Sequence, residues 1–218
     1  MKARWMLLAL IVWAAPAAAG PTWYEGSDVE KAMKGARILG KPLAFLVHLE
    51  NSSCPLHNAQ RSRWKNLDYL EHFVCIMVAA KGKAPDPLPS LRRAAAGKAG
   101  KYVPRLYLGS LDGEFLGVVR YNTPNADTVE QLRAARKKYG PVPGRATAVR
   151  MWNDLKDARA LWEENQIGPA MLKYQKVLAK ARLNENLPVF KELKKDRDGI
   201  NAKGRELIAK AKKMAEDG

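Results

Sequence analysis

The chain has 218 residues, a formal charge of +16, 47% hydrophobic residues and a pI ≈ 9.9. That length allows one ordinary domain plus a smaller module, and the apolar content excludes a chain too polar to build a core. A surface this basic favours acidic partners such as nucleic acid, anionic lipid or acidic proteins, unless the charge serves only solubility.

Residues 1–19 read as a signal peptide. Lys2 and Arg4 form a positive start, Trp5 to Trp13 carries no charge, and Ala17, Ala18 and Ala19 supply small residues for cleavage. The apolar run falls short of the roughly 20 residues a membrane span needs. Cleavage after Ala19 is expected, with an uncleaved anchor as the alternative. Without Lys2 and Arg4 the formal charge goes from +16 to +14, so the basic character belongs to the mature chain. The implied location is the periplasm or the exterior, where thiols tend to be oxidised.

Residues 27–39 are predicted helical, with Ser27 and Asp28 as candidate caps and Val29, Ala32, Met33, Ala36 and Ile38 as the apolar face. Gly40, Lys41 and Pro42 end that helix. Leu43 to Leu49 is an apolar run of strand length, as a strand buried on both faces requires. Asn51 to Ser53 is a turn, and Pro55 suits a first helical position, so residues 55–64 are predicted helical with Cys54 at the helix start. A short helical stretch at 67–71 leads to a second buried strand, Phe73 to Val78. Residues 80–101 are basic and rich in Pro, Gly and Ala, with one short helix near 90–96. Strands are predicted at Arg105–Leu108 and Glu114–Tyr121, joined through Asp112-Gly113, a hairpin signal. A helix over 127–139 follows. Gly140 to Gly144 is the clearest linker, and everything after it reads as helix: 146–165, 169–181, and a third from Pro188 with Gly199 and Gly204 as weak points. The organisation expected is a signal peptide (1–19), an α/β domain (20–140), a linker (141–144) and an α-helical domain (145–218).

Lys41-Pro42 ahead of a buried strand, Cys54 after it, Phe73-Val74, Val103-Pro104 and Leu111-Asp112-Gly113-Glu114 together resemble the thioredoxin family over residues 25–140. The resemblance implies a thioredoxin-like fold, a central mixed sheet flanked by helices, followed here by a small all-α domain. It also implies that Pro104 follows a cis peptide bond and faces Cys54. The departures are large. The second cysteine of the usual Cys-x-x-Cys motif is His57, Ser53 replaces an aromatic residue, and His48 stands where thioredoxins keep a buried acid. Cycling between dithiol and disulfide inside one motif is therefore not available, and an outside thiol would have to resolve a mixed disulfide.

A thiol at a helix N-terminus meets the positive end of the helix dipole, which favours thiolate. His57, one turn on, would add to this if protonated, and His48 would if its ring reached beneath the turn. The candidate catalytic set is Cys54, His57, Pro104 and His48. One alternative is a degenerate site on a non-catalytic interaction module. Another is copper or zinc held by Cys54, His57 and His48, although a Cys-x-x-His pair is only half of a four-ligand site. His72 reads as a surface residue. Cys75, inside an apolar strand, reads as a small hydrophobe, and a Cys54–Cys75 bridge does not suit the expected fold. No nucleotide, haem or flavin signature is present, and no cofactor is expected.

Lys81, Lys83, Arg92, Arg93, Lys98, Lys101 and Arg105 crowd one stretch against the single acid Asp86. The stretch is either a solvated loop or a surface that steers an acidic protein toward Pro104. Nucleic acid is not expected, because no exposed aromatic platform interleaves these charges. From Arg145 onward there are seventeen basic and eleven acidic residues, a mixed surface. There Ala158, Leu161, Ile167, Ala170, Tyr174 and Val177 fall at spacings that resemble one tetratricopeptide repeat. A single repeat cannot bury its own face. It must pack on a third helix, with Phe190, Leu193, Ile200, Leu207 and Ile208 as its apolar face, on the preceding domain, or on a partner. Trp152 and Trp162 are the aromatic residues to follow, Trp162 as core.

Overall fold

A computed structural model describes residues 21–216; the expected signal segment lies outside them. The elements are β1 (Trp23–Tyr24), α1 (Val29–Leu39), β2 (Leu43–His48), α2 (Pro55–Lys65), β3 (Val74–Ala79), α3 (Leu88–Ala94), β4 (Arg105–Gly109), β5 (Phe115–Val119), α4 (Asn125–Tyr139), α5 (Arg145–Glu163), α6 (Ile167–Ala181) and α7 (Pro188–Glu216). The sheet order is β1-β3-β2-β4-β5. The first three strands run parallel and β4 and β5 are antiparallel to their neighbours. This is the thioredoxin-like arrangement, followed by a C-terminal helical region.

Alternation along the strands splits the core. Ala44, Leu46, Cys75, Met77, Leu106 and Leu108 face one way and pack with Trp64 of α2 and Leu132, Ala135 and Tyr139 of α4. Leu43, Phe45, Val47, Ile76, Val78 and Tyr107 face the other way, against Ala32 and Ala36 of α1 and Leu88 and Leu91 of α3. All six residues of β2 are buried, as a strand covered on both faces must be.

Several expectations need correction. β1, a two-residue edge strand pairing Trp23 with Cys75 and Tyr24 with Ile76, was not expected. It is too short to show alternation, and its partner is distant in sequence. Ser27 and Asp28 do not cap α1; they lie in a 3₁₀ turn, and no side chain bonds the helix start. α7 runs without a break through Gly199 and Gly204. Glycine costs a helix only about 1 kcal/mol relative to alanine, which packing elsewhere along α7 offsets. Ile167 is exposed, whereas Ala158, Ala170, Tyr174 and Val177 are buried together with Leu187, Val189 and Leu193 of the α7 end. Phe190, Ile200, Trp152 and Trp162 pack partly buried against that cluster. The side chains of Leu207 and Ile208 lie outside the described residues.

The helical region is seated on α1. Trp152 Nε1 donates to Ile38 O at 3.1 Å. Gly40 ends α1 at φ +65°, a left-handed cap that glycine takes without strain, and a Cβ there would come within 2.6 Å of Leu187 Cδ2 and push that side chain aside. Asn184 Nδ2 donates to Pro141 O at 2.8 Å and Asn186 Nδ2 to Tyr139 O at 3.0 Å.

Within the helical region one polar network stands out. Arg159 on α5 reaches Asp196 through Nε at 2.7 Å and Nη2 at 2.9 Å, and Glu192 through Nη2 at 2.8 Å. The Asp196 bond is the largest of the effects that raise the Arg159 pKa. The fork clamps α5 to α7 with planar geometry that lysine cannot copy. Arg159→Met is expected to lower stability by about 1–2 kcal/mol, a value discounted for the solvent reaching this half-exposed group. Urea unfolding of the full chain measures this; an unchanged midpoint would show that the fork adds nothing net.

Candidate functional site

β2 ends at His48, and the chain turns through residues 49–53 into α2. Asn51 takes φ 52° in that turn, a left-handed conformation asparagine tolerates. Cys54 is the residue just before the first helical position, extended at φ -73° and ψ 115°, with Pro55 opening α2. Its N–H donates to Ser52 Oγ at 3.3 Å, and its carbonyl accepts from Asn58 N–H at 3.1 Å. Cys54 is a free, exposed thiol, and the neighbouring Leu56 is 67% exposed. The thiol therefore sits at the end of α2 where backbone N–H groups lack helical partners.

His57 turns inward and is buried. Its Nε2 accepts the Leu49 N–H at 3.2 Å. Nδ1 then carries the ring proton and donates to Asn58 Oδ1 at 3.2 Å. His57 braces the turn through the Leu49 N–H. Asn58 in turn donates through Nδ2 to Ser52 O at 2.8 Å, closing the loop around the cysteine.

His48 is buried as well. Its Nδ1 lies 3.1 Å from Leu49 O and 3.5 Å from Arg61 Nη1. One nitrogen cannot donate to the carbonyl and accept from the guanidinium at once. The shorter contact wins, and Arg61 is a near neighbour only. The Leu49 main chain is therefore held on both sides, its N–H by His57 and its carbonyl by His48.

Val103-Pro104 is a cis peptide bond and Pro104 is buried. β2 and β4 pair with Val47 opposite Arg105, so one step further Pro104 falls opposite His48. Pro104 and the start of the Cys54 turn thus share one end of the sheet. A second cis bond, Asp86-Pro87, was not expected. Asn58 and Arg61 were also missed, although position 58 is one turn from Cys54, where a side chain can reach back.

Among the described residues no group of three or more His, Cys, Asp and Glu is placed to hold a metal ion. With His57 Nε2 engaged by Leu49, the set Cys54, His57 and His48 does not converge, and the copper or zinc alternative loses its geometry. His72 is exposed and edges the Tyr69 ring at 4.8 Å.

The inner face of α2 carries Gln60 and Trp64, whose Nε2 and Nε1 are buried with no hydrogen-bond partner. Cys75 is sealed in the core and donates to Leu70 O at 3.3 Å. Burial pushes its thiol well above the ordinary thiol range, and the nearby Lys41 only partly opposes this.

Two outcomes follow from the contrast. Iodoacetamide is expected to modify Cys54 in the native protein and Cys75 only after denaturation, as read by peptide mass spectrometry; equal labelling would contradict the burial. The unfolded Cys75 thiol ionises near ~8.5 while the folded one keeps its proton. The unfolded state then binds fewer protons, so stability falls as pH rises, by up to about 1.4 kcal/mol per pH unit. Urea midpoints between pH 8 and 10 are expected to fall less steeply in Cys75→Ala than in the parent.

No family model matches the chain, and no curated protein matches it. Among solved structures, one described as "DsbH Oxidoreductase" is similar, with 13% sequence identity, covering 58% of this chain and 92% of that chain at a TM-score of 0.35.

Proposed function

We propose that this is an exported thioredoxin-like protein that carries out monothiol disulfide exchange or isomerisation through Cys54. One observation carries the reading: of two cysteines, one is sealed in the core and the other stands exposed at the start of α2, at the sheet end that holds Pro104. A thiolate there attacks one sulfur of a substrate disulfide. The Cys54–substrate bond forms, the old S–S bond breaks, and the second substrate sulfur leaves as thiolate and takes a proton. A second substrate thiol then attacks the mixed disulfide and releases Cys54, which gives isomerisation with no net electron transfer. Net reduction instead requires two external low-molecular-weight thiols: the first attacks the Cys54 sulfur and releases the substrate thiol, and the second frees Cys54 and forms the external disulfide. His57 and His48 act as positioning residues through Leu49.

The division expected from sequence, 20–140 for the thiol-bearing domain, 141–144 as linker and 145–218 as a helical domain resembling one tetratricopeptide repeat plus a third helix, is part of this proposal, as is export. Among the described residues no helix is long and apolar enough to cross a membrane. The partner proposed is a protein, preferably acidic, given the basic chain.

A second reading keeps the fold and drops the chemistry: a module that holds another protein. What favours it is the exposed apolar set on and beside α6, with Ile167, Leu172 and Leu183 more than half exposed. The two readings separate on Cys54→Ser. Incubated with a peptide disulfide, the parent and Cys75→Ala are expected to form a covalent mixed disulfide and release peptide thiol at rates within about twofold of each other. Cys54→Ser is expected to form none. An adduct that survives Cys54→Ser, or a native Cys54 that stays unmodified, would end the exchange reading. His57→Leu leaves the Leu49 N–H without its acceptor and is expected to cost about 1–2 kcal/mol, read as a lowered urea midpoint.

A further inference from the structure

On the face covered by α1 and α3, a cleft of about 330 Å³ opens at the end of the sheet where β2 gives way to the Cys54 turn. Val47 and Tyr107 belong to its sheet side, Val103 of the cis bond to its rim, and Ala95 and Ala99 to the segment after α3. Strand alternation sets Val47 and His48 on opposite faces, so the cleft and the histidine-braced turn are two sides of one strand end.

The cleft is polar in a one-sided way. Two arginines line it, Arg92 and Arg105. Arg105 is oriented by Nε donating to Tyr102 O at 2.8 Å and Nη1 donating to Tyr107 Oη at 3.3 Å. Its Nη2 takes part in neither bond. The Tyr107 hydroxyl, accepting from Arg105, still has its own proton to donate. Arg92 Nη2 is buried with no hydrogen-bond partner. Among the described residues neither guanidinium is within ion-pair distance of a carboxylate. Two like charges lining one concavity are a cost that a single oxyanion lowers. Guanidinium forks suit the flat carboxylate group.

We infer that this cleft binds the side-chain carboxylate of an Asp or Glu in the polypeptide whose cysteine engages Cys54, an inference that rests on the exchange reading for its substrate and on the cleft alone for its chemistry. Binding of the acid by Arg92, Arg105 and Tyr107 holds the neighbouring disulfide at the Cys54 end of the sheet and raises the local concentration of the reacting sulfur.

The test uses the full chain and two peptides. Each is acetylated and amidated, carries one cysteine as a 2-pyridyl mixed disulfide, and differs from the other only by Asp against Asn two residues from that cysteine. Attack by Cys54 forms the peptide–Cys54 disulfide and releases 2-thiopyridone, which is read by absorbance. The parent is expected to react roughly tenfold faster with the Asp peptide. That preference is expected to fall below twofold in Arg92→Gln and in Tyr107→Phe, and to persist in the control Lys81→Gln, which also leaves the Asn-peptide rate unchanged. A preference that survives both cleft variants would reduce it to general charge steering and overturn the inference, as would no preference in the parent. A separate measurement isolates the cleft: calorimetric binding of the same peptides, with serine in place of cysteine, to Cys54→Ser. Tighter binding of the Asp peptide, lost in Arg92→Gln, supports the cleft even where thiopyridone release is absent, in which case the exchange reading alone has failed. Equal binding of the two peptides overturns the cleft inference while leaving exchange standing.

Discussion

The two hydrogen bonds on the main chain of Leu49 set the terms for the rest of the site. β2 is buried along its whole length and stops at His48, so the chain has to leave the core and turn at once. A turn leaving a buried strand exposes backbone groups that need partners. Here the partners are two imidazoles, His57 on the N–H and His48 on the carbonyl. From that fixed point Asn58 reaches back to Ser52, and Cys54 is presented at the mouth of α2. The price is geometric: the imidazole Nε2 that accepts the Leu49 N–H is engaged there and turned into the core. What remains beside the thiol is the helix start itself, with its backbone N–H groups that lack helical partners.

The protein also separates its two cysteines by environment. Cys75 lies mid-strand under α2 and α4, where low polarity keeps a thiol protonated. Cys54 stands in solvent. A chain with one reachable sulfur has no internal route to a disulfide, so every covalent event at Cys54 is with another molecule. The placement of charge is consistent with this division. The helical region pairs some of its basic residues in bridges such as Arg159–Asp196 and Lys173–Asp157, whereas among the described residues Arg92 and Arg105 near the Cys54 end are in no such bridge.

Much of this was legible in the residues. Apolar runs of strand length gave β2 and β3, Pro55 gave the start of α2, and Asp112-Gly113 gave the hairpin, because each signal is local and strong. The cis Val103-Pro104 bond came from the family resemblance, not from spacing. What stayed hidden depends on distant partners. β1 exists only because β3 offers it an edge. The inward turn of His57 is decided by the Leu49 amide, eight residues back, and helix periodicity alone cannot tell a bracing histidine from a catalytic one. The cleft around Arg92 joins three separate stretches, so the basic run reads as a solvated loop until β2 and β4 are set beside it.

The junction at α1 gives the helical region a mechanical meaning. Trp152 holds Ile38, Leu187 sits in the notch left by Gly40, and Asn184 and Asn186 tie back to Pro141 and Tyr139. Three residues past Gly40 the chain enters β2, the strand whose far end carries the Leu49 clamp. The helices are therefore less a tethered appendage than a lever arm with its fulcrum at the root of that strand. A load applied along α6 would pass through α5 and α7 to α1 before it reached β2, so the helical region and the strand that presents the thiol share one anchor.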